Sequence, residues 1–142
     1  PRLTAWYANS GCSYHYSGTS RPGEPWTDCL AGTCALIKRQ LRHPFNFMLA
    51  NRYRSGSDHV GWHSDNERDM GVRPVIASLS LGASRVFRVR PKSGGKSMGW
   101  LLQHGSLLVM WGDSQSLFKH SVPRTAQPAG ERVNLTFRYV SK

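Results

Sequence analysis

The chain is predicted to be mostly β, with one main helix near its N-terminus, closing into a double-stranded β-helix, or jelly roll. Three observations predict it. Only residues 27–42 carry convincing helical periodicity. From Phe45 onward the period shortens to that of strands, in several short runs separated by Gly-, Ser- and Pro-containing turns. The length of 142 residues sets one domain with enough chain to bury its own core.

Residues 1–26 are rich in aromatics, Gly, Ser and Pro and read as irregular or short-stranded. In the helix that follows, Thr27 or Asp28 can cap the N-terminus, Leu30, Cys34, Ile37 and Leu41 share one face, and Pro44 lies just past the end. The first strong strand covers residues 46–53. Residues 75–81 form the next, closed by Gly82. Residues 85–90 alternate basic with apolar, so one face is expected to be buried and the other cationic and wet. Residues 106–111 are largely apolar and are expected to be central. Residues 132–140 alternate again: Arg132, Asn134, Thr136 and Arg138 point one way, and Val133, Leu135, Phe137 and Tyr139 the other, toward the core.

Composition narrows the function classes. Lys and Arg outnumber Asp and Glu by 19 to 8, a net charge of +11 that favours a polyanionic partner, most simply nucleic acid. The charge is spread along the chain, which suits a basic groove on a folded surface. Cys12, Cys29 and Cys34 are an odd set without a Cys-x-x-Cys, so neither a disulfide framework nor a zinc ribbon is expected, and the thiols are read as reduced. No apolar run approaches the about 18 residues of a membrane span. The opening residues carry no signal-peptide pattern, and none is expected. An intracellular monomer is expected, cytoplasmic if bacterial and nuclear if eukaryotic. The opening Pro1-Arg2-Leu3 lacks Met and reads as if further residues precede it.

His63 and Asp65 form a His-x-Asp, and His120 follows far downstream. If their segment is a regular strand, His63 and Asp65 share a face and can reach one ion. Two histidines and one carboxylate leave part of a metal's coordination sphere open, the ligand set of a non-heme Fe(II) oxygenase. A structural zinc site would close that position, usually with cysteine. The remaining histidines, His15, His43, His59 and His104, have no such company. Arg132 and Arg138 on one strand face would repel each other unless an anion lay between them, and a small dicarboxylate such as 2-oxoglutarate meets that need.

With these residues in view, the chain resembles the AlkB family of Fe(II)- and 2-oxoglutarate-dependent dioxygenases, in particular its eukaryotic-type DNA-repair branch and bacterial relatives. The likeness covers nearly the whole chain, in order: residues 1–7, Phe45 to Phe47, Asn51 to Tyr53, His63 to Asp65, Ile76 to Gly82, His104 to Ser106, His120, and the Arg-x-Asn-x-Thr-x-Arg strand from Arg132 to Arg138. It implies a jelly-roll catalytic core over residues 45–142 and a nucleotide-recognition region with the helix over residues 1–44. It implies Fe(II) on His63, Asp65 and His120. It also implies 2-oxoglutarate held by Arg132 and Arg138 with Asn51, Tyr53 and Asn134, and O2 as co-substrate. The implied reaction hydroxylates an N-methyl group of 1-methyladenine or 3-methylcytosine in DNA, which leaves as formaldehyde, with succinate and CO2 formed alongside.

The resemblance further implies a flipped base between Tyr16 and His63, with Tyr14 beside it and Glu67 at its exocyclic amine. Asn66 stands where DNA-acting relatives usually carry Asp, a departure that bears on base preference. Residues 88–96, with four cations and two glycines, are a candidate clamp on the nucleic-acid backbone. An RNA demethylase is the nearest alternative, followed by an oxygenase of protein or small molecules. A binding module without chemistry would have no need of all five of His63, Asp65, His120, Arg132 and Arg138.

Overall fold

The computed structural model describes residues 1–16 and 18–141, Tyr16 and Arg21 without their side chains. In chain order the strands are β1 Leu3–Ala8, β2 Ser13–Tyr16, β3 Thr19–Pro22, β4 Phe47–Tyr53, β5 Val60–His63, β6 Ile76–Gly82, β7 Arg85–Pro91, β8 Met98–Leu102, β9 Leu107–Met110, β10 Phe118–Val122 and β11 Arg132–Arg138. Helix α1 is Asp28–Leu41, α2 is the single turn Ser114–Leu117, and a 3-10 turn covers Arg68–Met70. The major sheet runs β1-β4-β11-β6-β9 and the minor sheet β5-β10-β7-β8, all antiparallel, with β2 and β3 forming a separate hairpin. This is the expected two-sheet jelly roll.

Strand alternation decides what each face of the major sheet does. Outward, Phe45, Met48, Ala77, Leu135 and Phe137 form a cluster that α1 covers with Cys34 and Ile37. The helix starts as expected: Thr27 Oγ1 accepts from the Leu30 amide at 3.3 Å. It ends at Arg42 in the left-handed region (φ 50°), where the chain turns toward Phe45. Phe137 is fully buried, so truncating it would cost about 3–5 kcal/mol. Inward, the same sheet presents polar side chains, and these build the site. Gly82 closes β6 with φ +89°, and a Cβ there would lie 2.5 Å from the Glu131 carbonyl.

Three expectations are corrected, and the pairing of β1 adds to the fold. The apolar run at residues 106–111 yields β9, an edge strand rather than a central one, and Trp111 beyond it is exposed. Its apolar character reflects contact with the second sheet on one side only. Arg85 faces inward and is buried, because its guanidinium donates to the carbonyls of Ser55, Asp58 and Pro123 at 2.7–3.1 Å and lies 5.4 Å over the Tyr53 ring. Val86, which shares the outward face with Arg88 and Arg90, is exposed instead. Tyr139 lies past the end of β11 and is exposed rather than packed in the core. Finally, β1 pairs along β4 through six register positions, so residues 1–44 contribute a strand to the same sheet as the core. Among the described residues, no helix is long and apolar enough to cross a membrane.

Candidate active site

The two sheets bring together what the sequence separates. His63 ends β5, and β10 pairs with β5 so that His120 lies directly across from it. The imidazole centroids are 4.2 Å apart. Asp65 does not share a regular strand with His63. It lies two residues past the end of β5, in an irregular stretch, and its carboxylate lies between the histidines. Its Oδ1 is 3.5 Å from His63 Nε2 and its Oδ2 is 3.7 Å from His120 Nε2. All three donor atoms fall within 4.8 Å of one another.

The protonation pattern suits a metal. His63 Nδ1 lies 2.8 Å from the Gly61 carbonyl. A carbonyl can only accept, so the proton sits on Nδ1 and the Nε2 lone pair faces Asp65. His120 is buried and stacked on Phe87, with centroids 5.4 Å apart, and burial pushes its pKa down to about 4. Its imidazole is therefore neutral at physiological pH, the form a metal ion requires. Burial alone would raise Asp65. Arg138, then His120 and His63, more than offset that and hold the carboxyl below its ordinary value.

Beside this cluster, a cavity of about 270 Å³ opens onto the inner face of the major sheet. Asn51, Tyr53, Arg132, Asn134 and Arg138 all line it, together with the three donors. Asn51 Nδ2 donates to Asn134 Oδ1 at 3.2 Å, and Asn134 Nδ2 donates to Ser78 Oγ at 2.7 Å. Thr136 Oγ1 donates to Asn134 Oδ1 at 3.0 Å. At the end of this network Arg132 is 2% exposed, its guanidinium 5.0 Å over the Tyr53 ring, with Nη2 donating to Ser80 Oγ at 2.8 Å. Its Nε and Nη1 are buried with no hydrogen-bond partner among the described residues. A buried cation with two unused donors fits an acceptor such as a carboxylate, which takes two parallel N–H bonds from a guanidinium. Thus the donor set fits iron, and the pocket fits a dicarboxylate.

The base-recognition residues fall out differently. Tyr14 is fully buried, packed against Trp6, Phe47, Met70 and Ile76, so its ring offers no face to a base. Only its hydroxyl reaches the site: Arg138 Nη1 donates to it at 3.3 Å. Burial, with Glu67 close by, raises its pKa strongly. Glu67 is half-buried and Asn66 exposed. The Tyr16 side chain lies outside the described residues. The sequence reading also missed Arg2, Trp6, Phe87 and Met110, which line the cavity. Alternation along β1 could have found Arg2 and Trp6, which fall on one side with Thr4. The remaining histidines are structural: His15 pairs with Asp69, His43 packs on Phe45, His59 accepts from Arg124, and His104 accepts from the Gly82 amide.

A facial group of two histidines and a carboxylate, set beside an arginine-floored cavity inside a jelly roll, defines a 2-oxoglutarate oxygenase centre. A family model for the 2OG-Fe(II) oxygenase superfamily matches residues 2–138. The mouse alpha-ketoglutarate-dependent dioxygenase alkB homolog 3 is 42% identical over 99% of this chain and 52% of its own length. The human DNA oxidative demethylase ALKBH2 is 38% identical over 99% of this chain and 57% of its own length. The protein therefore belongs to the AlkB family of Fe(II)- and 2-oxoglutarate-dependent dioxygenases, whose cofactor, co-substrate and oxidant are Fe(II), 2-oxoglutarate and O2. The chain spans about half the length of the curated relatives it matches. The solved structure of OsALKBH1 shares the fold, with a TM-score of 0.59 at 22% identity over 87% of this chain and 67% of that one.

Proposed function

We propose that the protein removes N-linked methyl groups from bases in DNA, with 1-methyladenine and 3-methylcytosine as substrates and repaired base, formaldehyde, succinate and CO2 as products. One observation carries the reading: the His63–Asp65–His120 cluster shares a cavity with the buried, incompletely paired guanidinium of Arg132. The name of the related human DNA oxidative demethylase ALKBH2 supports the substrate class. Bound there, Fe(II) and 2-oxoglutarate supply the activation of O2 and the oxidation of the methyl carbon.

The chain's own residues do the rest. His63, Asp65 and His120 hold the metal. Arg132 takes the distal carboxylate of 2-oxoglutarate, and Asn51, Tyr53, Asn134 and Arg138 complete that pocket. A base must leave the stack to reach such a recessed centre, which costs least for a lesion that cannot pair. By the family resemblance Tyr14 lies beside the flipped base, with Asn66 near it and Glu67 at its exocyclic amine; the stacking role the resemblance gives Tyr16 falls on a side chain outside the described residues. The Glu67 carboxylate favours a methylated base, which is cationic, over a neutral one. Residues 88–96 grip phosphate with Arg88, Arg90, Lys92 and Lys96. Residues 1–142 act as one dioxygenase domain, with recognition concentrated in 1–44. Three free cysteines fit an intracellular monomer.

The test adds Fe(II) and 2-oxoglutarate anaerobically, then oxygen and a single-stranded oligonucleotide bearing one 3-methylcytosine, followed by mass spectrometry. The expected result is loss of one methyl that requires both iron and 2-oxoglutarate. Turnover of 2-oxoglutarate without methyl loss moves the substrate to RNA, protein or a smaller molecule. No turnover leaves a binding module.

A further inference from the structure

We propose that Gln115 is a positioning residue for the metal-facing carboxylate of Asp65, an inference that rests on the metal assignment above. Asp65 lies beyond the end of β5, so no sheet ladder holds its backbone. Its amide instead donates to Gln115 Oε1 at 2.8 Å. Gln115 is 2% exposed. Because the Asp65 amide donates, the side-chain oxygen of Gln115 must face it, and Nε2 points away toward Met110 Sδ at 3.3 Å.

The rest of the segment reinforces this role. Gln115 sits in α2, five residues before His120, so one short stretch supplies one ligand directly and fixes the backbone of another. Ser64 Oγ donates to the Phe118 carbonyl at 2.7 Å, a second stitch between the same two segments. Lys92, in the turn between β7 and β8, donates to the Gln115 carbonyl at 2.8 Å and anchors α2 from the other side. The irregular segment that carries Asp65 is thus held by an acceptor fifty residues further along the chain, not by local strand geometry. Groups that orient metal ligands in this manner typically set metal affinity by 10–100-fold.

The test is calorimetric titration of the metal-free protein with Ni(II), a redox-inert stand-in for Fe(II), together with the visible spectrum of the Co(II)-loaded protein. Gln115→Met removes the acceptor at nearly constant volume, and Gln115→Glu keeps an oxygen in its place. The expected result is an affinity for Ni(II) about 10–100-fold weaker in Gln115→Met, with a shifted Co(II) spectrum, while the melting midpoint without metal falls only by what one unpaired buried amide costs. Gln115→Glu should bind Ni(II) close to wild type. Wild-type affinity in Gln115→Met, or equal losses in both variants, would overturn the proposal. Should Gln115→Met not fold, Gln115→Glu decides alone: wild-type affinity supports the role and a tenfold loss removes it. Asp65→Ala separates the two readings, since undiminished Ni(II) binding in that variant would instead sink the metal assignment.

Discussion

Arg138 and Asp65 form a buried ion pair: Nη2 donates to Oδ2 at 3.1 Å, with the side chains 4% and 7% exposed. The same carboxylate also lies within 3.7 Å of both imidazoles, which leaves the Arg138 guanidinium as the permanent charge paired with it. Arg138 therefore acts as the counter-charge that keeps the buried Asp65 carboxylate ionised.

Removing one partner of such a pair leaves the other charged and buried, at a cost of about 3–5 kcal/mol. Arg138→Met should destabilise the metal-free protein by that amount. A divalent cation on Asp65 supplies the missing positive charge, so the loss should shrink when Ni(II) is present. Urea titrations with and without metal would measure it. An equal loss in both conditions would mean that Arg138 acts through packing rather than through Asp65.

Arg132 should behave in the opposite sense. Its Nε and Nη1 have no partner among the described residues, and a buried unsatisfied donor costs on the order of 1–3 kcal/mol. Arg132→Met gives up the bond to Ser80 and the contact with Tyr53 but also removes the two orphaned donors. The metal-free variant should therefore be neutral to stabilised, while 2-oxoglutarate binding falls by at least a hundredfold. Urea midpoints paired with 2-oxoglutarate titration would check both. A stability loss above about 2 kcal/mol would make Arg132 a structural residue.

His120 predicts a pH slope. Its pKa in the folded, metal-free protein is pushed down to about 4 by burial, whereas an unfolded histidine titrates near 6.5. Above about pH 6.5 both states are neutral and the stability is intact. As pH falls from there toward 4, the unfolded chain takes up a proton that the folded site refuses, and roughly 3 kcal/mol is lost. With a chelator present, unfolding midpoints at pH 7 and pH 5 should separate for the wild type and converge for His120→Asn. Parallel slopes would place the titration elsewhere.

Legibility followed the regularity of the backbone. The strand from Arg132 to Arg138 was readable because period-two alternation alone assigns its two faces, and α1 because its cap and apolar stripe agree. Asp65 was identified for the wrong reason, since it reaches the histidines from an irregular stretch rather than from a strand position. Arg85 was misplaced because its burial depends on carbonyls contributed by Ser55, Asp58 and Pro123, none of them near it in sequence. Gln115 gave no signal at all: its role exists only where α2 meets the segment after β5.

The Asp69 carboxylate ties the hairpin of β2 and β3 to the segment that follows Asp65. Asp69 Oδ2 accepts from both the His15 backbone amide and His15 Nδ1, each at 2.8 Å. Asp69 belongs to the 3-10 turn that follows Asp65 and Glu67, so this contact docks the strand carrying Tyr14 and Tyr16 onto the metal-bearing stretch. His15 is largely exposed, and an exposed pair contributes at most about 1 kcal/mol to stability. Asp69→Ala should therefore unfold almost as the wild type does while loosening the hairpin. KM for a methylated oligonucleotide should rise several-fold, and KM for 2-oxoglutarate should stay unchanged, because the pocket lined by Arg132 and Asn134 lies on a different sheet. Faster amide exchange in residues 13–16 should accompany it. Equal increases in both constants would show that the contact supports the metal segment itself and not the recognition hairpin.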